Sequence, residues 1–493
     1  MSLIAAGNLK HARPLLPALS VVYELLGAAI NVAGDDAQVS FAGGSFDADL
    51  AEHCCGFVGN LAAEVSLRPA LVADNRWAAA VTTTIRCALD RGAVALVSTA
   101  AWCLSNMARG AETSARVFAE ADSLTAVIPL LKPLDPATIA AAVARRSRPR
   151  TLSGGVPTAA QLLLLQTEAL WVAVFLSAKE PNFVTNFVAR NGLLQAVLGL
   201  FTAPSTADAK VLLLCLRTMG NLITVPGADG RRMFTFVARN EHVWRRLHQL
   251  LSRQLALAGQ LSGAPPQQTR VVGDLFEELA VFLQCIIVGG NGEAIYQQVF
   301  IKTGSLAIMC KLFGDGLCFN NVERELGFAL ASFARAPQDA YVHKVINGCN
   351  ATSNVLPKFI DRMLARSADA ATIGASLRFI ACALERLPYA VERVNECDGI
   401  FALEEILHRE GLPEELRQLA TQLLDTFFDG DNFSESDSDD GPQGPTDFDI
   451  IAAGGQPAAQ GVQAPRGSVA AGRGRGVGRG VGRGRNAILP PWA

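Results

Sequence analysis

Apolar residues recur at helical spacing along most of this chain. Leu193, Leu194, Val197, Leu198 and Phe201 fall at i, i+1, i+4, i+5 and i+8, which makes one buried stripe on a helix. Strand-type alternation of apolar and polar positions is not sustained anywhere up to Phe428. Near the start, Lys10, His11 and Arg13 precede an apolar run from Leu15 to Val22, the outline of a signal peptide. Pro14 and Pro17 interrupt it, Glu24 and Asn31 follow, and no small-residue cleavage site is evident, so the pattern predicts a buried first helix. No stretch reaches the ~20 uncharged apolar residues of a membrane span, so no membrane partner is expected.

Three stretches repeat a pairing four residues apart, which puts both members on one helix face. They are Ala101-Trp102-Cys103-Leu104-Ser105-Asn106, Ala169-Leu170-Trp171-Val172-Ala173-Val174-Phe175 and Leu216-Arg217-Thr218-Met219-Gly220-Asn221. Phe175 and Asn221 lie 46 residues apart, as do Asn60 and Asn106. Cys285 and Ser332 continue the series at intervals of 64 and 47 residues. A period of that length belongs to armadillo and HEAT solenoids. The intervals that exceed it point to insertions, one near 133–160, around Arg145, Arg146, Arg148 and Arg150, and one near 254–270. The expected fold is all-α: a right-handed armadillo-type solenoid of about seven to eight repeats over 1–428, each repeat covering its neighbour's apolar face.

After Phe428 the composition changes. Residues 429–449 hold eight acids and no base, with Ser434, Ser436 and Ser438 among them as candidate phosphorylation sites. Glycine- and alanine-rich sequence follows, then Arg473, Arg475, Arg479, Arg483 and Arg485 alternate with Gly and Val. Such sequence cannot bury enough apolar surface to offset its ordering entropy, and a disordered tail over 429–493 is predicted. The whole chain of 493 residues has a net charge of −3, which hides this polarity. Its eleven cysteines are scattered, with no C-x-x-C pair, a pattern of neither a zinc site nor a disulfide framework.

The three pairs, in this order, resemble the importin-α (karyopherin-α) family over roughly residues 50–345. Trp102 and Asn106 match the family's W-x-x-x-N helix. Trp171 and Phe175 resemble a repeat in which an aromatic replaces Asn, and Leu216 to Asn221 resembles L-R-x-x-G-N, where Arg217 stands in place of Trp. Gly59-Asn60-Leu61-Ala62 is similar to the repeat before them. The resemblance implies that the third helix of each repeat lines a concave groove for an extended peptide. There Asn clamps the peptide backbone and Trp packs long side chains and attracts their charges. It implies cytoplasm and nucleus as the location. The family's basic N-terminal segment, which recruits a β-type importin, has no counterpart in residues 1–50, so the likeness does not extend to that partner. Val281/Cys285 and Phe328/Ser332 depart from the pattern, so the family's second cargo site looks erased.

The candidate partner-binding residues are therefore Asn60, Trp102, Asn106, Trp171, Arg217 and Asn221. For Trp171 with Phe175, apolar packing stands beside groove lining; for Arg217 with Asn221, a structural hydrogen-bonded pair stands beside a clamp. The arginines at 145–150 fit a nuclear-localisation signal, an occupant of the groove in cis or a solvated loop. The Arg-Gly segment suits RNA, since arginine offers a fork for phosphates and a face for stacking. No cofactor or metal is expected: the six histidines lack ligand spacing, Gly289-Gly290-Asn291-Gly292 lacks the lysine of a phosphate loop, and no nucleophile elbow occurs. The expected function is a non-enzymatic scaffold or adaptor in nucleocytoplasmic transport or ribonucleoprotein assembly. The alternative is an RNA-associated protein whose solenoid tethers it to a complex.

Overall fold

A computed structural model describes residues 13–30, 46–110, 113–133, 158–258, 266–290, 294–335, 338–347 and 355–428. Among them there are helices and turns but no strand. Eight helices mark the end of eight successive repeats: α1 (Ala48–Ala63), α2 (Val94–Ala108), α3 (Ala159–Ser177), α4 (Ala209–Ile223), α5 (Pro266–Gly289), α6 (Asn320–Ala334), α7 (Ala370–Arg386) and α8 (Glu414–Phe427). Each packs on the next, from α1 through α8, to form one row. The middle helices of the repeats, from Leu19–Ile30 and Arg76–Arg91 through Gly399–His408, stack in a second row. From the second repeat onward a shorter helix, such as Arg68–Ala73 or Ala228–Ala238, opens the unit. This three-helix repeat with nearest-neighbour stacking is an armadillo-type solenoid.

Local sequence sets the boundaries. Asp47 caps α1 by accepting from the Leu50 amide at 2.9 Å, and Asp208 caps α4 by accepting from Lys210 and Val211. Thr158 and Gln161 form a reciprocal capping box at the start of α3. Asp369 does the same work for α7 through the Thr372 amide. In four repeats the short turn between first and middle helices places one residue at positive φ: Gly192, Gly304, Asp122 and Asp398.

The core is continuous from Val22 to Leu423, and the predicted stripe of Leu193, Leu194, Val197, Leu198 and Phe201 is buried. Aromatic rings run edge to face from the fifth repeat to the seventh: Trp244 with Phe300, Phe300 with Phe333, and Phe333 with Tyr341. The first helix, Leu19–Ile30, buries Val22, Leu26, Ala29 and Ile30 as expected.

The segment Ala160–Ser177 within α3 is long and apolar enough, by length and composition, to cross a membrane. It is 67% buried inside the solenoid and packs between α2 and α4, so its apolar character serves the core. The predicted insertion near 254–270 is narrower at its flanks, because helix Glu241–Leu257 and α5 take up both ends and only 259–265 lie outside the described residues. Most of the segment near 133–160 lies outside them too, with Arg145, Arg146, Arg148 and Arg150. So do Ser434, Ser436, Ser438 and the tail arginines Arg473, Arg475, Arg479, Arg483 and Arg485.

Candidate functional site

The marker pairs all fall on the α1–α8 row, on equivalent turns of successive helices. Trp102 on α2 is half-buried, with its indole flat against Gly59 of α1. A Cβ at position 59 would lie 2.4 Å from the ring, so only glycine admits this approach. Asn106, one turn on, donates its amide to the Gly59 carbonyl at 3.4 Å, a long bond. At 8% exposure Asn106 is nearly enclosed. Gly59 is thus the seat for both members of the α2 pair, and Asn60 stands beside it, half-buried.

The α4 pair repeats this arrangement. Asn221 donates to the Val174 carbonyl at 3.3 Å and to Ser177 Oγ at 3.1 Å, both on α3. In each case the asparagine ties its helix to the carbonyl 47 residues earlier. Asn106 spends one donor on the preceding repeat and keeps an acceptor oxygen and a second N–H, whereas Asn221 spends its donors on Val174 and Ser177 and keeps its acceptor oxygen. Between these pairs, Trp171 and Phe175 of α3 stack on one another, with ring centroids 5.4 Å apart and planes 21° apart. Both are half-buried.

Arg217 and Asn221 share a helix face but bond in opposite directions along the row, so they are not a hydrogen-bonded pair with each other. Arg217 reaches forward to α5, where its Nε donates to Glu278 Oε2 at 2.8 Å and its terminal nitrogen makes a second, shorter contact. Glu278 is buried. Its burial pushes the carboxyl above the ordinary glutamate range, and the Arg217 charge opposes that shift. Glu325 of α6 is also buried and accepts from Arg324 at 2.7 Å. Asn321 of α6 donates to Glu277 of α5.

On α5 and α6, Val281 and Phe328 stand at the positions that Trp102 and Trp171 hold on α2 and α3, and the Cys285 thiol is pushed up to about 12, by burial first and then by Glu278. One turn earlier on these helices, Glu278 and Glu325 present carboxylates that arginines already neutralise. Sequence reasoning passed over both acids. Their signal was an acid three residues before each marker position, at 278 and 325, and Glu168 sits likewise before Trp171. Thr99 of α2 also bonds to Glu52 of α1 at 3.1 Å. Among the described residues no group of three or more His, Cys, Asp or Glu is placed to hold a metal ion.

The row therefore offers half-buried aromatic surface at α2 and α3, polar amides at α1, α2 and α4, and self-paired charges from α4 onward. No family model matches the chain. Among curated proteins, importin subunit alpha-9 of Arabidopsis thaliana is 25% identical over 448 residues, spanning 87% of this chain and 70% of that protein. Among solved structures, an engineered protein from the Northeast Structural Genomics Consortium is 16% identical, with a TM-score of 0.51, over 86% of this chain and 92% of that one. A designed armadillo repeat protein matches 61% of this chain and 98% of its own, with 15% identity and a TM-score of 0.41.

Proposed function

We propose that this chain, which resembles importin subunit alpha-9, is a non-enzymatic scaffold whose α1–α8 row holds an extended segment of a partner protein. The observation that carries this reading is the α2 pair: a half-buried tryptophan, fixed on Gly59, beside an asparagine anchored to the same residue. A ring held this way loses little freedom when a ligand side chain packs on it. In this reading Trp102, Trp171 and the apolar stems around them supply contact area. Asn60, Asn106 and Asn221 offer their remaining amide groups to the partner backbone, and Arg217 offers the hydrogens that Glu278 leaves free. Each contact is small, and affinity comes from several repeats acting together. Nucleocytoplasmic transport or ribonucleoprotein assembly, in cytoplasm and nucleus, is the setting that the importin-α likeness favours.

The double variant Trp102→Ala with Asn106→Ala tests it. Partner capture from an extract should be abolished while the helical circular dichroism spectrum is kept. Retained partners in a folded double variant would sink the reading.

A second reading rests on the six arginines among glycines from Arg466 to Arg485, a composition that suits weak, salt-dependent RNA contact. Deleting residues 466–493 should then remove RNA association and leave the protein partners in place. RNA recovery that does not change counts against the tail.

A further inference from the structure

The densest run of arginines among the described residues lies away from the α1–α8 row, in the first two helices of the fifth repeat. Residues 228–257 contain six arginines, no lysine and only two acids, Asp229 and Glu241, in a chain of net charge −3. Helix Ala228–Ala238 is held firmly from below. Met233, Phe234 and Val237 are buried, and the Phe234 ring lies against Gly289 of α5, where a Cβ would come within 2.7 Å. The corner after it is locked by the Trp244 indole, which donates to the Ala238 carbonyl at 2.7 Å.

The outer face of the same helix is different. Phe236 is 47% exposed, two residues from the buried Phe234. Arg231, Arg232 and Arg239 are exposed around it and line one open recess with it. Arg232, Phe236 and Arg239 follow at i, i+4 and i+7, so they stand on one side, about 6 Å and about 4.5 Å apart along the axis. Arg232 makes an exposed pair with Asp229 at 3.2 Å, which solvent weakens. Arg246 takes no part, because it turns inward to donate to the Thr206 carbonyl.

We propose that this shelf is a binding site for single-stranded RNA, with a base stacked on Phe236 and phosphates held by Arg231, Arg232 and Arg239. A partner must be anionic to match the arginines and must offer a flat apolar face to match an exposed ring on a rigid helix. An acidic peptide meets the first demand. A nucleotide strand meets both, and every cation in this segment is arginine, whose planar fork fits phosphate oxygens. The shelf is built from helices outside the α1–α8 row, so it stands or falls independently of the peptide-groove reading.

The test uses the full chain with Arg473, Arg475, Arg479, Arg483 and Arg485 changed to alanine, which removes the tail's share. Binding of a fluorescein-labelled oligouridylate is followed by anisotropy across a salt series. Changing Arg231, Arg232 and Arg239 together to alanine should weaken binding at least tenfold and flatten the log–log salt slope by about 2, at ~0.7 for each phosphate no longer neutralised. Phe236→Ala should weaken binding about tenfold, within the range for one stacked base, and Phe236→Trp should keep it. These positions are exposed, so unchanged thermal melts certify the fold. Affinity that is unchanged in the arginine variant overturns the site. Loss with the arginine variant but not with Phe236→Ala, together with equal competition by polyglutamate, overturns RNA in favour of an acidic protein.

Discussion

Single residues in this protein act mostly across repeat boundaries. Arg68 is 2% exposed, and its guanidinium donates to the carbonyls of Ala62, Ala63 and Arg109. Lys179 is also buried and donates to the Gly110 and Thr113 carbonyls and the Thr113 hydroxyl. Arg409 does the same for Leu364, Ala365 and Ser367. A basic side chain thus fills the carbonyl-rich end of a helix, where the helix dipole favours a cation. Glu278 is the acidic counterpart, and its titration is measurable. Its folded pKa is raised by burial, so the folded state binds the proton more readily than the unfolded chain. Its contribution is then most favourable below the ordinary glutamate pKa and declines as pH rises through the folded value. Glu278→Gln should therefore gain in melting temperature relative to the parent as pH is raised from acid towards neutral. A difference between the two melts that stays constant with pH would show that Glu278 does not titrate this way.

At the level of the element, four of the repeats turn on a left-handed residue between first and middle helices. Asp398 adopts φ of 57° and Gly304 adopts 74° at equivalent corners. The left-handed conformation costs a non-glycine residue ~1–2 kcal/mol, and a β-branched one more. Asp398→Gly should therefore be neutral to stabilising by up to about 1 kcal/mol in urea titrations, whereas Gly304→Val should destabilise by at least ~1 kcal/mol. Equal effects of the two changes would argue against the corner geometry. The same logic explains why the corners were hard to see in sequence. Asp122 and Asp398 fill them as readily as Gly192 and Gly304, and two different residue types hide one conformation.

On the scale of the whole molecule, stability is a sum over repeats and the interfaces between neighbours, because the rows stack only in sequence. The Gly59 seat is one such interface. Gly59→Ala should drive the Trp102 indole off α1, lower the melting temperature, and speed hydrogen exchange in α1 and α2. Exchange in α6, α7 and α8 should keep its parent rate. Uniform acceleration through α8 would instead mean that the solenoid opens as one unit. The local character also bears on the proposed groove. A substitution at α2 can remove a contact site and leave distant repeats folded, which is what makes the Trp102 and Asn106 variant interpretable.

The sequence by itself determined the helical class, the period and the markers. Helical apolar spacing is a one-dimensional property, and a stacked repeat must present the same buried face each time it recurs. It also placed Trp102, Trp171, Arg217 and the three asparagines on one row, because a repeat fixes which turn of each third helix is equivalent. Only the tertiary structure decided what those side chains touch. Asn106 and Asn221 turn back to the preceding helix, Arg217 turns forward to Glu278 across 61 residues, and the apolar α3 packs between α2 and α4. Those outcomes depend on how closely neighbouring helices approach and on which partner lies within about 3 Å, and a pattern of residue types along a line carries neither distance nor direction.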